Sequence, residues 1–353
     1  MPKPRIDFWL LLPAMCLSLL GLLILRSIVP ELLANQLLFF AVFVIIFILF
    51  SLVDYRIIFS LHLLVFIVSL VFLVLPFFFG VPSRGAVRWL QLGNFSLQPS
   101  EVVKPFLLVT FVIIATSQLP RKILLLILAL AAPLLIIFLQ PDLGSAIVLF
   151  VGWFTIFLSL VPPYKFLPLG LVGLLLFFPA YKYILKDYQR QRLMTYVNPY
   201  ADPLGQGYHI IQSLIAVGSG GLFGRGLGHG TQSQLRFLPE HHTDFIFASL
   251  AEELGFAGSL VVIILLLSLL WRIYRISQQT SDPKAALFCL SAASLLAFQA
   301  AVNIGMNSGL VPITGITLPF LSYGGSSLLS LAITLGLIHS ISLSSRSYNF
   351  PKG

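Results

Sequence analysis

The chain has 353 residues, of which 58% are hydrophobic and only 9% charged, where soluble domains carry roughly 25% charged residues. That composition excludes a soluble enzyme, a nucleic-acid binder and a disordered scaffold, and leaves a polytopic membrane protein. The formal charge of +9 then reflects Lys and Arg gathered in loops for topological reasons, not a nucleic-acid surface. Cys16 and Cys289 both fall in apolar stretches, which argues against a disulfide framework and a zinc site alike.

Windows long enough to cross about 30 Å of hydrocarbon fall at roughly 8–28, 33–52, 58–79, 100–118, 122–139, 143–161, 165–186, 244–270, 284–306 and 323–342. The sequence therefore predicts an all-α integral membrane protein of about ten transmembrane helices, a single polytopic domain over 1–353. The first window has no small-residue cleavage site and reads as a retained helix, not a signal peptide. Pro76, Pro133 and Pro179 lie inside three of the windows, where they kink a membrane helix without ending it. No repeat of fixed period and no low-complexity linker divides the chain.

Basic residues set the expected orientation. With both termini in the cytoplasm, inside segments hold Lys3, Arg5, Arg56, Arg121, Lys122, Lys165, Arg272, Arg275, Lys284, Arg346 and Lys352. The short outside loops then hold Arg26, Arg84 and Arg88. The bias fits the positive-inside rule. One large extracytoplasmic loop, 187–243 between helices seven and eight, carries Arg190, Arg192, Arg225 and Arg236, with Lys182 and Lys186 just before it. Long loops translocate largely regardless of charge, so its basicity points to an anionic ligand.

Three acids stand near the outer starts of even-numbered helices: Glu101 before Lys104, Asp142 in Gln140-Pro-Asp142-Leu-Gly144, and Asp244 after His241-His242-Thr243. Helix capping explains any one of them. Their common depth beside a basic loop favours a site, because ionisable groups at membrane depth are functional by default. Glu101 and Lys104, three residues apart, can pair on one helix face, either to neutralise the helix start or to hold an ammonium near substrate. Glu252 and Glu253 read as structural, binding neighbouring helices.

Within the large loop, 198–203 reads as turn chemistry and 206–217 as a short amphipathic helix with Ile210, Leu214 and Val217 on one face. Residues 218–230 hold seven glycines in thirteen positions, matching neither a phosphate-binding loop nor a dinucleotide fingerprint. Such density serves either flexibility or close backbone approach to a ligand or another segment. His229, His241 and His242 lack a metal-ligand spacing. The charge-free stretch 303–327 reads as an outer loop dipping into protein, with Asn307, Thr314, Tyr323, Ser326 and Ser327 available to line a polar cleft.

Several of these motifs, taken in order, are familiar: Gly85-Ala-Val-Arg88-Trp89, Gln98-Pro-Ser-Glu101 with Lys104, Gln140-Pro-Asp142-Leu-Gly144, the run 198–228, Phe237 to Phe247 around Asp244, Glu252-Glu253-Leu-Gly255, and Leu318 to Ser327. Over nearly its whole length the chain resembles the SEDS family (shape, elongation, division and sporulation), membrane-embedded peptidoglycan glycosyltransferases typified by RodA and FtsW. Residues 230–234 and Pro312-Ile-Thr-Gly315 look more like RodA, whereas Tyr200-Ala-Asp202 and Gly226-Leu-Gly228 look as much like FtsW. RodA proteins often show Arg-His before the Thr-Asp, where this chain has His241-His242.

The resemblance implies polymerisation of lipid II into glycan strands on the outer face of the cytoplasmic membrane, for cell elongation and shape or for division. It places the essential acid on Asp244 and the buried acid–lysine pair on Glu101 and Lys104. It also implies a class B penicillin-binding protein as transpeptidase partner, among other elongation or division machinery.

An outward site lacks ATP and nucleotide sugars, so its donor must arrive activated, as a lipid-linked pyrophosphate does. Asp244 would take the acceptor hydroxyl proton, while Lys104 and Arg88 meet charge growing on the pyrophosphate. Trp89, Asp142 and Ser326 complete the expected substrate-binding set. No residue set forms a metal cage, although a divalent cation, Mg or Mn, could share the charge. The alternative is a lipid II flippase or transporter, whose sites sit near the bilayer midplane on repeat-related broken helices.

Overall fold

The computed structural model describes residues 6–348, except 84–85, 94, 167, 169, 172–174, 176–186, 202–204, 236 and 239. Its main helices are α1 (Phe8–Ile28), α2 (Leu33–Leu52), α3 (His62–Val74), α4 (Lys104–Thr116), α5 (Lys122–Leu139), α6 (Leu143–Leu158), α7 (Asp187–Val197), α8 (Gln206–Ser219), α9 (Ile246–Gln279), α10 (Pro283–Asn307) and α11 (Gly325–Tyr348). Seven helical stretches among the described residues are long and apolar enough to cross a membrane, and α4 and α6 are shorter apolar helices. Nine of the ten expected windows coincide with helices. The other, 165–186, lies largely outside the described residues, as do Lys182, Lys186 and Arg236.

Burial is arranged inside out. Helix α11, with 89% of its apolar window enclosed, packs against α2 and buries Ser326, Ser330, Thr334, His339, Ser340 and Ser342. Helices α2 and α3 instead turn Leu37, Leu38, Ile45, Leu63, Leu64 and Ile67 outward, as lipid-facing helices must. Polar side chains on α11 satisfy themselves locally or across the bundle: Thr334 Oγ1 donates to Ser330 O at 2.8 Å, and Ser340 Oγ to Val53 O at 2.8 Å.

The two ends of the bundle differ. At one, the Asp7 amide donates to His339 Nε2 at 3.2 Å, Ser342 Oγ donates to Asp7 Oδ2 at 2.7 Å, and Arg272 pairs with Asp7. The start of α1 therefore meets the last turns of α11. The opposite end gathers the starts of α4, α6, α9 and α11 and carries a feature outside the all-α expectation. There β1 (Gly80–Ser83), β2 (Ala86–Leu92) and β3 (Phe95–Leu97) form an antiparallel sheet in that order, with Gly80 opposite Leu90 and Leu90 opposite Leu97. Strands this short give too few alternations to separate from loop.

The glycine-rich run is explained by α9. Gly255 interrupts that helix at φ 68° and ψ −163°. The bonds that would run from Phe256 and Ala257 N–H to the carbonyls of Glu252 and Glu253 are exchanged for bonds with the loop. Arg225 N and Gly226 N donate to Glu252 O and Glu253 O at 2.9 and 3.0 Å, while Phe256 N and Ala257 N donate to Gly221 O and Leu222 O at 2.9 and 3.0 Å. A Cβ on Gly220 would lie 1.9 Å from Ala251 O, and one on Gly224 2.1 Å from Glu253 O. Close approach to another segment, not flexibility, is what these glycines allow.

Glu252 and Glu253 belong to the same joint, and their partners extend beyond neighbouring helices. The Glu252 carboxylate accepts from Gln232 N, Ser233 N and Ser233 Oγ at 2.8, 3.0 and 2.9 Å. Glu253 Oε1 accepts from Ser27 Oγ at 2.7 Å and Gly228 N at 3.2 Å.

Candidate functional site

Two ion pairs lie where α4 and α6 begin. Lys104 Nζ sits 2.6 Å from Glu101 Oε1, with side-chain exposures of 3% and 13%. At that burial an unpaired charge would cost several kcal/mol, so the pair is obligatory. Ser145 Oγ reaches the same Glu101 oxygen at 3.4 Å. Beside it, Arg88 Nη1 lies 3.5 Å from Asp142 Oδ1. Asp142 Oδ2 accepts from Gln98 Nε2 at 2.6 Å and Ser100 Oγ at 3.0 Å, and Oδ1 accepts from Ser145 N at 3.3 Å. Asp142 is therefore both the cap of α6 and the partner of a distant arginine. Arg88 Nε is buried and has no hydrogen-bond partner.

Strand β2 delivers Arg88 to this cluster. Arg88 falls at a register shift, since Trp89 lies opposite Val81 and Val87 opposite Pro82. Ser326 is engaged by backbone, its Oγ accepting from Gln98 N at 2.8 Å. Ser327, one residue on, joins Glu101, Lys104, Gln299, Ser330 and Thr334 in lining a cavity of about 10 Å³, the room needed by a single water. Ser327 Oγ also lies 3.3 Å from Thr317 Oγ1.

Asp244 occupies a turn ahead of α9, whose cap residue is Phe245. Its surroundings come from the irregular segment between α10 and α11. Ser322 Oγ donates to Thr243 O at 2.8 Å and Tyr323 N to His242 O at 3.0 Å. Gly315, at φ +73°, stands where an added Cβ would be 3.6 Å from Asp244 Oδ2. The other side of this segment meets α6: a Cβ on Gly144 would lie 3.2 Å from Thr314 O and 3.9 Å from Asp142 Oδ1. Residues 314–316 thus run between the Asp142–Arg88 pair and the Asp244 carboxylate. The expected dipping loop proves shorter than 303–327, since α10 stays helical through Asn307.

Sequence reasoning singled out the charged members of this site and missed Ser145, Gln299 and Asn303. A buried amide or hydroxyl on an apolar helix carries no periodic signal of its own. Among the described residues no group of three or more His, Cys, Asp and Glu could hold a metal ion. A cation held by one carboxylate would take its remaining ligands from substrate phosphates and water.

Comparison with known proteins fits this geometry. Residues 14–347 match the family described as cell cycle protein, FtsW, RodA and SpoVE. The peptidoglycan glycosyltransferase MrdB of Escherichia coli is 42% identical over 283 residues, covering 78% of this chain and 76% of MrdB. Stage V sporulation protein E of Bacillus subtilis is 41% identical over 276 residues, covering 76% and 74% of the two chains. A chain from a peptidoglycan synthase complex, solved to show how polymerization and crosslinking are coordinated, superposes with a TM-score of 0.83 at 33% identity, covering 97% of this chain and 98% of its own. The rod shape determining protein RodA of Thermus thermophilus superposes with a TM-score of 0.73 at 28% identity, covering 99% and 100%.

Proposed function

The chain belongs to the FtsW, RodA and SpoVE family and is a multi-pass membrane peptidoglycan glycosyltransferase; from that premise we propose that it polymerises lipid II on the outer face of the cytoplasmic membrane, with Asp244 as general base. The carrying observation is the placement of the Asp244 carboxylate against the Gly315 gap, across 314–316 from the Arg88–Asp142 pair. In this reading the chain forms one domain of ten spans, with 187–243 and the sheet on the outer side.

The reaction breaks the bond between the anomeric carbon and the pyrophosphate oxygen and forms one to the acceptor 4-hydroxyl oxygen. Asp244 removes the hydroxyl proton as attack proceeds. The leaving undecaprenyl pyrophosphate carries the electron pair, and Arg88 and Lys104 oppose its charge. Both cations are already paired with carboxylates, so each supplies directed donors within a nearly neutral frame; the Arg88 side chain, 28% exposed against 3% for Lys104, is the better placed to reach a phosphate oxygen. Asp142, Glu101 and Ser326 hold those donors in place. A divalent cation, Mg or Mn, would be held by a carboxylate at this end of the bundle and would supply further opposition to charge on the leaving group; no step here depends on it.

A transpeptidase of the class B penicillin-binding type is the proposed partner, since glycan strands leave this site uncrosslinked. Detergent-solubilised protein with fluorescent lipid II tests the reading. Chains should grow without ATP, nucleotide sugar or membrane potential, with the transpeptidase present where required, and Asp244→Asn should abolish growth while leaving expression and thermal stability near wild type. An Asp244→Asn variant that still polymerises would move the base elsewhere. Translocation of lipid II in proteoliposomes with no chain growth, partner included, would favour a flippase.

A further inference from the structure

Asn303 and Asn307, in the last turns of α10, are both wholly enclosed. An amide there is costly unless its hydrogen bonds are made, and these are made to the base's own segment. Asn303 Nδ2 donates to Asp244 O at 3.0 Å and to Ile316 O at 2.7 Å. Asn307 Nδ2 donates to Asp244 O at 3.0 Å and to Asn303 O at 2.7 Å, while its Oδ1 accepts from Ala248 N at 3.0 Å. Each nitrogen faces two carbonyls, so the amide orientation is fixed by chemistry, since only an NH₂ can serve two acceptors.

We propose that Asn303 and Asn307 are positioning residues that hold the Asp244 carboxylate at its working distance from the acceptor hydroxyl. The proposal rests on the reading of Asp244 as the base. One Asn303 amide ties Asp244 to Ile316, the residue after Gly315. The wall bearing the carboxylate and the wall bearing the gap opposite it are thereby fastened by the same group. Asn307 adds a second bond to the Asp244 carbonyl and takes one of the first-turn N–H groups of α9 that helix geometry leaves open. It thus sets where the helix begins relative to the turn.

The rival role is helix–helix adhesion, which buried amides in membranes also serve. Steady-state kinetics on monodisperse protein separate the two. Asn303→Ser and Asn307→Ser are compared with wild type for kcat on lipid II, for lipid II Kd and for thermal midpoint in detergent. A displacement of about 1 Å at a reacting group costs roughly 100-fold in rate, so at least one variant should lose about 10-fold or more in kcat, with Kd within about threefold of wild type and the midpoint retained. Wild-type kcat in both variants overturns the proposal, as does a loss that tracks a fall in midpoint or a rise in Kd. Asp244→Asn, run alongside, separates the failures: an active Asp244→Asn sinks the base, whereas an inactive one beside fully active asparagine variants sinks the clamp alone.

Discussion

Replacing Lys104 with Met removes the ammonium 2.6 Å from Glu101 Oε1 and leaves that carboxylate at 13% exposure with Ser145 Oγ at 3.4 Å. Breaking a buried pair in this way costs about 3–5 kcal/mol. At roughly 2 °C per kcal/mol for a large domain, Lys104→Met should lower the thermal midpoint by about 5–10 °C at fixed scan rate. The double variant Glu101→Gln with Lys104→Met removes both charges at similar volume, and such replacements are often neutral for stability. It should recover most of the midpoint while glycan polymerisation stays lost. A single variant as stable as wild type would refute the burial argument. A double variant that is stable and active would make the pair structural and not substrate-directed.

Topology is checked by single cysteines: at Gln91 or Thr231, each exposed, labelling should occur in intact cells, and at Gln278 only after permeabilisation. Labelling of Gln278 from outside would invert the orientation and take the outward site with it. Gly224→Ala should be severely destabilising, because its Cβ would lie 2.1 Å from Glu253 O at φ +82°. Limited proteolysis should then cut within 220–230, and a variant as resistant as wild type would deny the loop its docked state.

What the sequence revealed and what it hid divide along physical lines. Spans such as α1, α2 and α5 were legible because crossing hydrocarbon needs a long apolar run, which composition displays directly. Asp142, Glu101 and Lys104 were legible because charge at membrane depth is rare. The pairing of Arg88 with Asp142 joins residues 54 positions apart through a small sheet, and no local pattern encodes it. Capping could not be told from site residence for Asp142 and Asp244 by position alone. The structure assigns the cap of α6 to Asp142, whose Oδ1 accepts from Ser145 N, and places Asp244 in the turn before Phe245, where α9 is entered. The roles of Asn303 and Ser145 were invisible because both fall in stretches whose apolar content sets the reading.

The exchange of hydrogen bonds between α9 and the glycine-rich loop bears on biogenesis. Membrane helices usually enter the bilayer as separate, internally satisfied units and associate afterwards. Held alone in the bent form around Gly255, α9 would carry the unpaired carbonyls of Glu252 and Glu253 and the unpaired amides of Phe256 and Ala257, each costing several kcal/mol in hydrocarbon. The bend therefore arises only once residues 221–226, made earlier on the ribosome, have been translocated and have found the nascent helix. Until then α9 is best satisfied as an unbroken helix, and the turn that carries Asp244 takes its working direction late in assembly.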